Sequence, residues 1–155
     1  MASASVRLTD YLSRNDVPYQ QIHHTPDFTS QETAAHTKTP GREFAKTVVL
    51  RIDHEFGLAV LPAHHRIDFE ALRRWLNAQE VRLASEEEMR SLFPDCDVGA
   101  EPPLGSLYEL PVYVSPTLAR DEEITFNGGS HEEAIRMKYD DFARITRPSI
   151  IHFSS

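Results

Sequence analysis

Residues 44–63 read FAKTVVLRIDHEFGLAVLPA. Two apolar, β-branched runs, FAKTVVLRI and GLAVLPA, flank the polar stretch Asp53-His54-Glu55-Phe56. That pattern predicts two strands joined by a tight return. Side chains alternate across a strand, so Phe44, Lys46, Val48, Leu50 and Ile52 share one face. Ala45, Thr47, Val49 and Arg51 share the other. Lys46 therefore falls on the more apolar face, where an ammonium costs stability unless an anion or ligand compensates it. It is either a functional cation or a lysine near a strand end that snorkels to water.

Upstream of this pair, Val6 to about Asn15 carries Leu8, Tyr11 and Leu12 at helical spacing. Pro18 follows, with an extended piece through Ile22. Thr29-Ser30-Gln31-Glu32 has the capping-box pattern and predicts a second short helix ending before Pro40-Gly41. Beyond the strand pair, Asp68 is placed to cap a helix whose inward stripe is Leu72, Trp75 and Leu76, with Ile67 stapling to Leu72. VRLA (81–84) reads as a short strand. Ser85-x-x-Glu88 is a second capping box, opening a helix that stops at Pro94.

From Asp95 to about Gly105 the residues Gly99, Pro102, Pro103 and Gly105 exclude regular helix or central strand and predict a shaped loop. LPVYVS is a strand. ITF, the turn Asn127-Gly128-Gly129-Ser130, read as type I′, and EAIRMKY form a β-hairpin. A short helix from Asp141 to Ile145 closes the chain. Strands and helices intermingle without βαβ alternation. The expected fold is therefore α+β, one domain over 1–155, with a mixed, mainly antiparallel twisted sheet flanked by helices.

The chain's 155 residues are 40% apolar and 26% charged, an ordinary globular composition. No apolar run approaches the ~20 residues of a membrane helix, and the N-terminus lacks a signal-peptide core. With the single Cys96, this points to the cytoplasm and against a membrane partner. A net charge of −8 argues against non-specific coating of DNA or RNA, though not against gripping one RNA end. Lys38, Arg42, Lys46 and Arg51 cluster with only Glu43 opposing them, which reads as a solvated strand edge or a contact surface.

Several chemistries are set aside. There is no Walker loop and no GxGxxG. His54-Glu55 and His131-Glu132 each lack the second histidine of an HExxH zinc site. The pairs His23-His24 and His64-His65 are adjacent, and neighbours on extended chain point apart. No metal or cofactor is expected, and Cys96 reads as structural.

In order along the chain, GREFAKTVVLRI, GAEPPLG and FNGGSHEEAIRM make the sequence resemble the YbaK/ProX family of aminoacyl-tRNA editing domains. That family includes the editing domain inserted in bacterial prolyl-tRNA synthetases. The similarity runs from about His24 to Ile145. Each motif alone is common; their conjunction at these spacings is specific. Lys46 matches the family's essential lysine, Gly99 and Pro103 its GxxxP loop, and Gly128-Gly129-Ser130-His131 its glycine-containing hairpin. The glycine pattern of that hairpin differs among members.

The resemblance implies a YbaK-like fold and an aminoacyl-tRNA deacylase that hydrolyses the ester of mischarged tRNA. Its partners would be the tRNA acceptor end and an aminoacyl-tRNA synthetase. It implies catalytic roles for Lys46 and Gly129 and substrate contacts from Gly99, Pro103, Gly128, Ser130 and His131. Glycine lets a backbone approach a ligand closely, so N–H groups at Gly99, Gly128 and Gly129 are candidate oxyanion donors. Lys46 would hold the terminal adenosine phosphate or the ester carbonyl. No side-chain base is legible, and the family's use of a substrate ribose hydroxyl to activate water is implied with the rest. His131 reads as shaping the pocket. The amino acid stays open among proline, alanine, serine and cysteine-type small residues. The alternatives are a catalytically silent binding module of the same fold and a hydrolase of non-tRNA esters.

Overall fold

The computed structural model describes residues 4–25, 30–37, 39 and 43–155. Helix α1 (Ala4–Arg14) and strand β1 (Tyr19–His23) precede helix α2 (Ser30–His36). The capping residue expected at Thr29 and the Pro40-Gly41 stop lie outside the described residues. Next come β2 (Ala45–Ile52), β3 (Glu55–Pro62), α3 (Phe69–Trp75), β4 (Val81–Leu83) and α4 (Glu86–Leu92). A 3₁₀ turn (Gly105–Leu107) then leads into β5 (Val112–Val114) and α5 (Pro116–Ala119). The chain closes with β6 (Glu123–Asn127), β7 (Glu133–Lys138), α6 (Tyr139–Thr146) and β8 (Ser149–Ile150).

The strands form a three-stranded sheet, β1-β7-β6, and a five-stranded one, β4-β2-β3-β5-β8. Pairings β1–β7, β6–β7, β2–β3 and β2–β4 are antiparallel; β3–β5 and β5–β8 are parallel. The fold is α+β with mixed, mainly antiparallel strands, arranged as two sheets. They meet where β2 begins, at a parallel bridge between Phe44 and Thr125. There Thr125 N–H donates to Glu43 O at 3.1 Å.

Both faces of the β2–β3 pair are covered, which explains why both strands are apolar on both faces. Ala45, Val49, Leu58 and Val60 pack into the main core with Leu8 and Leu12 of α1, Phe126, Ile135 and Phe142. Leu50, Ala59 and Leu61 pack on the opposite face with Leu72, Ile151 and Phe153, joined by Val48 and Ile52. Each fully buried leucine or phenylalanine contributes about 1.5–3 kcal/mol of transfer free energy.

The caps hold α3 and α4 in place. Asp68 accepts the Ala71 N–H at 3.0 Å. Ser85 and Glu88 exchange both capping-box bonds, at 2.8 and 3.1 Å. Trp75 corrects the expected stripe: it is 63% exposed, while Leu72 is fully buried. The short α3 ends at Trp75, so the core keeps the Leu72–Leu76 ridge, one turn apart, and leaves the indole at its shoulder.

Candidate active site

The GxxxP loop is held from within. Gly99 sits at φ +90°, a left-handed conformation that glycine adopts without strain. Its N–H donates to both carboxylate oxygens of Glu101 at 3.0 Å. Glu101 is only 3% exposed. Burial pushes its carboxyl above the usual carboxylate range, opposed by the Gly99 amide and by nearby His131. Pro102 and Pro103 are buried, and Pro103 O accepts the Gly105 N–H at 3.0 Å.

The hairpin tip is bonded to this loop. Gly129 N–H donates to Ala100 O at 2.9 Å, and Asp97 N–H to Gly129 O at 2.8 Å. His131 N–H reaches Asp97 Oδ2 at 3.3 Å. Its Nε2 lies 3.0 Å from Val98 O and must donate there, because a carbonyl only accepts. Ser130 Oγ accepts the Glu132 N–H at 3.3 Å, an internal brace of the turn. Gly99, Gly128, Gly129, Ser130 and His131 thus form one connected unit, with Pro103 on the loop's buried arm.

Two expectations change here. Asn127 pairs with Ala134, and Gly128 N–H donates to Glu133 O at 2.9 Å, so the turn is longer than a two-residue type I′. Only Gly129 takes a positive φ in it, +96°. A Cβ on Gly129 would collide with Ala4 Cβ at the start of α1. Arg7 of that helix pairs with Asp95 at 3.3 Å and donates to Leu107 O at 3.1 Å, clamping α1 against the loop. Gly129 therefore makes room for a helix. The amides of Gly99, Gly128 and Gly129, expected as oxyanion donors, are each committed to an internal acceptor.

Lys46 approaches from the sheet junction. It lies opposite Leu61 in the β2–β3 register and is half-buried. Burial lowers its pKa, and the neighbouring Arg66 guanidinium lowers it further. From the Phe44–Thr125 bridge, β2 and β6 run in the same direction. Two residues on, Lys46 and Asn127 thus lie on the same side of their strands. Asn127 is 7% exposed, and its Oδ1 has no hydrogen-bond partner among the described residues. Arg136 braces this side from β7, donating to Thr125 Oγ1 at 3.1 Å and Thr39 Oγ1 at 2.8 Å.

Glu101 and Asn127 are the site residues that sequence reading missed. Glu101 carried one signal, an acid within the otherwise apolar stretch GAEPPLG (99–105); Asn127 was read only as a turn residue. The expected cluster of positives divides. Lys38 and Arg42 lie outside the described residues, and Arg51 is bound to Glu88 at 2.9 Å. Among other nucleophiles, burial pushes the Cys96 thiol up to about 12, so it is not a thiolate near neutral pH. Among the described residues no three His, Cys, Asp or Glu side chains are grouped to hold a metal. No helix among them is long and apolar enough to cross a membrane.

The model of the aminoacyl-tRNA editing domain matches residues 24–145. The chain belongs to that family. A relative over nearly the whole length is the multifunctional Ser/Thr-tRNA deacylase ProXp-y of Escherichia coli K12. It is 27% identical over 161 aligned positions, covering 99% of this chain and 96% of that one. A segment of the proline–tRNA ligase of Staphylococcus saprophyticus is 32% identical over 92 positions, 58% of this chain and 15% of the ligase. Among solved structures, a candidate trans-editing enzyme for prolyl tRNA synthetase superposes with a TM-score of 0.86 at 19% identity. That match covers 100% of this chain and 99% of the other, and shows that the editing-domain fold is present throughout.

Proposed function

We propose that this protein clears mischarged tRNA in trans, hydrolysing the ester between a small amino acid and the terminal adenosine, with serine and threonine as the first candidates. Its family makes it an aminoacyl-tRNA ester hydrolase. The finer reading takes the chain as one editing domain acting in the cytoplasm on acceptor ends released by a synthetase. Lys46 carries it: a half-buried ammonium without an ion pair among the described residues, on the same side of the β2–β6 junction as Asn127, whose buried Oδ1 has no hydrogen-bond partner among those residues.

In the reaction, water attacks the ester carbonyl carbon, and negative charge gathers on the carbonyl oxygen. Lys46 stabilises that charge in a partly desolvated setting, where a cation is worth more than in bulk water. Asn127 Oδ1 accepts a hydrogen bond from the substrate's amino group. Collapse breaks the bond to the ribose oxygen, which takes a proton, and free amino acid and tRNA leave. Glu101, Gly99 and His131 contribute rigidity, because small displacements of the loop wall misplace the ester.

The test is a deacylation panel of correctly charged and mischarged tRNAs. The expected result is selective hydrolysis of seryl or threonyl esters on non-cognate tRNA. Hydrolysis confined to other small residues would replace the proposed substrate. No turnover with any member, together with measurable binding, would establish the silent binding module instead.

A further inference from the structure

Beside Lys46, three separate segments bring cationic and protonatable side chains onto one surface. Lys46 comes from β2. His64, His65 and Arg66 follow β3, where His65 N–H closes a turn onto Pro62 O at 2.9 Å. His152 comes from the C-terminal tail. The tail is fixed there: Arg66 and Ser155 exchange backbone hydrogen bonds at 3.0 and 3.3 Å, and Ile67 bridges Ser154. His65 Nδ1 is hydrogen-bonded to Ser154 Oγ at 2.9 Å. The His64 and His65 rings meet edge-on, 4.6 Å between centroids. Lys46, His64 and His152 all lie within electrostatic reach of His65, and Arg66 within reach of Lys46.

Among the described residues no acidic side chain forms an ion pair with this group. Asp68 is occupied in capping α3, and Glu70 is bound by Arg73 and Arg74. Among the described residues neither Lys46 nor Arg66 makes an ion pair. Arg66, His64 and His152 are exposed. A chain of net charge −8 thus places two cations without an ion pair among the described residues, Lys46 and Arg66, together with three histidines on one surface.

We infer that Arg66, His64 and His152 seat the phosphates of the single-stranded 3′ end of tRNA, so that the terminal ester is delivered to Lys46. The inference rests on the deacylase reading. An arginine fork matches two phosphate oxygens at once, and the imidazole N–H groups add further donors. Such contacts position a strand without reading its bases. They also let an acidic protein hold one RNA end while repelling the rest of the molecule.

The experiment uses the full chain as wild type, Arg66→Gln and the double variant His64→Gln/His152→Gln. Thermal melts should be unchanged, because these side chains are exposed. Binding is read by anisotropy with an uncharged RNA hairpin bearing a single-stranded CCA end, titrated with salt. Both variants should bind more weakly, and Arg66→Gln, which removes a charged phosphate contact, should lower the slope of log affinity against log salt by about 0.7. In deacylation of aminoacyl-tRNA, KM should rise with kcat retained. Hydrolysis of a phosphate-free aminoacyl-adenosine should not change. Unchanged KM and affinity in both variants, with an unchanged salt slope in Arg66→Gln, overturn the surface while leaving the deacylase reading intact. Equal loss on the phosphate-free ester also overturns it. A wild type that binds the hairpin through Arg66 yet hydrolyses no aminoacyl-tRNA sinks the deacylase reading and leaves the surface standing.

Discussion

The Gly99 amide donates to both carboxylate oxygens of Glu101, two residues on, at 3.0 Å. One buried side chain thus fixes the left-handed glycine and the loop that carries it. Burial raises the Glu101 pKa. An acid whose folded pKa exceeds its unfolded one holds more protons in the folded state between the two values. Stability then falls as pH rises through that window, starting from the ordinary glutamate value of about 4.3. Glu101→Gln removes this dependence. Its melting temperature relative to wild type should climb as pH is raised from acid to neutral. Its kcat/KM should fall by about 10–100-fold, since an amide offers one acceptor and leaves its NH₂ without one. A constant difference in melting temperature across pH would show that burial does not raise the Glu101 pKa in the fold.

Lys46→Ala should reduce deacylation by about 10²–10³-fold, the usual cost of losing one preorganised charge at a developing oxyanion. Melting temperature should hold or rise, because a half-buried cation without an ion pair is removed. Lys46 has a lowered pKa, so its positive charge is lost as pH rises through a value below the ordinary lysine range. Wild-type kcat should decline there, at lower pH than a solvated lysine would give. A melt that collapses in Lys46→Ala would make the residue structural.

Much of this arrangement is legible locally. The capping boxes, the β2–β3 pair and the β6–β7 hairpin follow from patterns spanning a few residues, and so does the odd position of Lys46. What escaped is non-local. The four-residue α5 and two-residue β8 are too short to show periodicity, and β8 exists through its parallel pairing with β5. Trp75 is exposed because Leu76, its neighbour, takes the buried ridge. Gly129 reads as a turn glycine, whereas the atom that excludes a side chain there belongs to Ala4, at the other end of the chain. The grouping of Arg66 with Lys46, His64 and His152 comes from the tail folding back onto the β3 end, which no spacing reveals.

Gly129→Ala should therefore destabilise the fold by about 1–3 kcal/mol, combining overpacking against Ala4 with a positive φ. Activity should fall in step with stability. Adding Ala4→Gly should recover the steric part and leave the conformational part, giving a favourable coupling in a double-mutant cycle. Gly128→Ala is the control, because its Cβ meets Ile135 Cγ1 at 3.4 Å, an ordinary contact. Full stability with lost activity in Gly129→Ala would return this residue to the substrate.

The remaining catalytic need is a proton acceptor for the attacking water. His131 is tied to the loop wall, its Nε2 donating to Val98 O and its backbone N–H reaching Asp97, so Nδ1 is the one ring nitrogen that can take a proton. Glu101 is turned onto the Gly99 amide, and the Cys96 thiol stays protonated. A ribose hydroxyl adjacent to the ester needs no placement by the protein once the adenosine is bound, and can orient the water. A tRNA ending in 2′-deoxyadenosine and charged on its 3′ oxygen should bind with unchanged affinity and be hydrolysed about 10²-fold more slowly or worse. His131→Ala should cost about tenfold, through a loosened loop, and should cost the same on natural and deoxy substrates. Single-turnover rates on the two substrates with the two proteins complete the comparison. If the deoxy substrate reacts at the normal rate while His131→Ala is inert, the histidine takes the proton and the ribose does not.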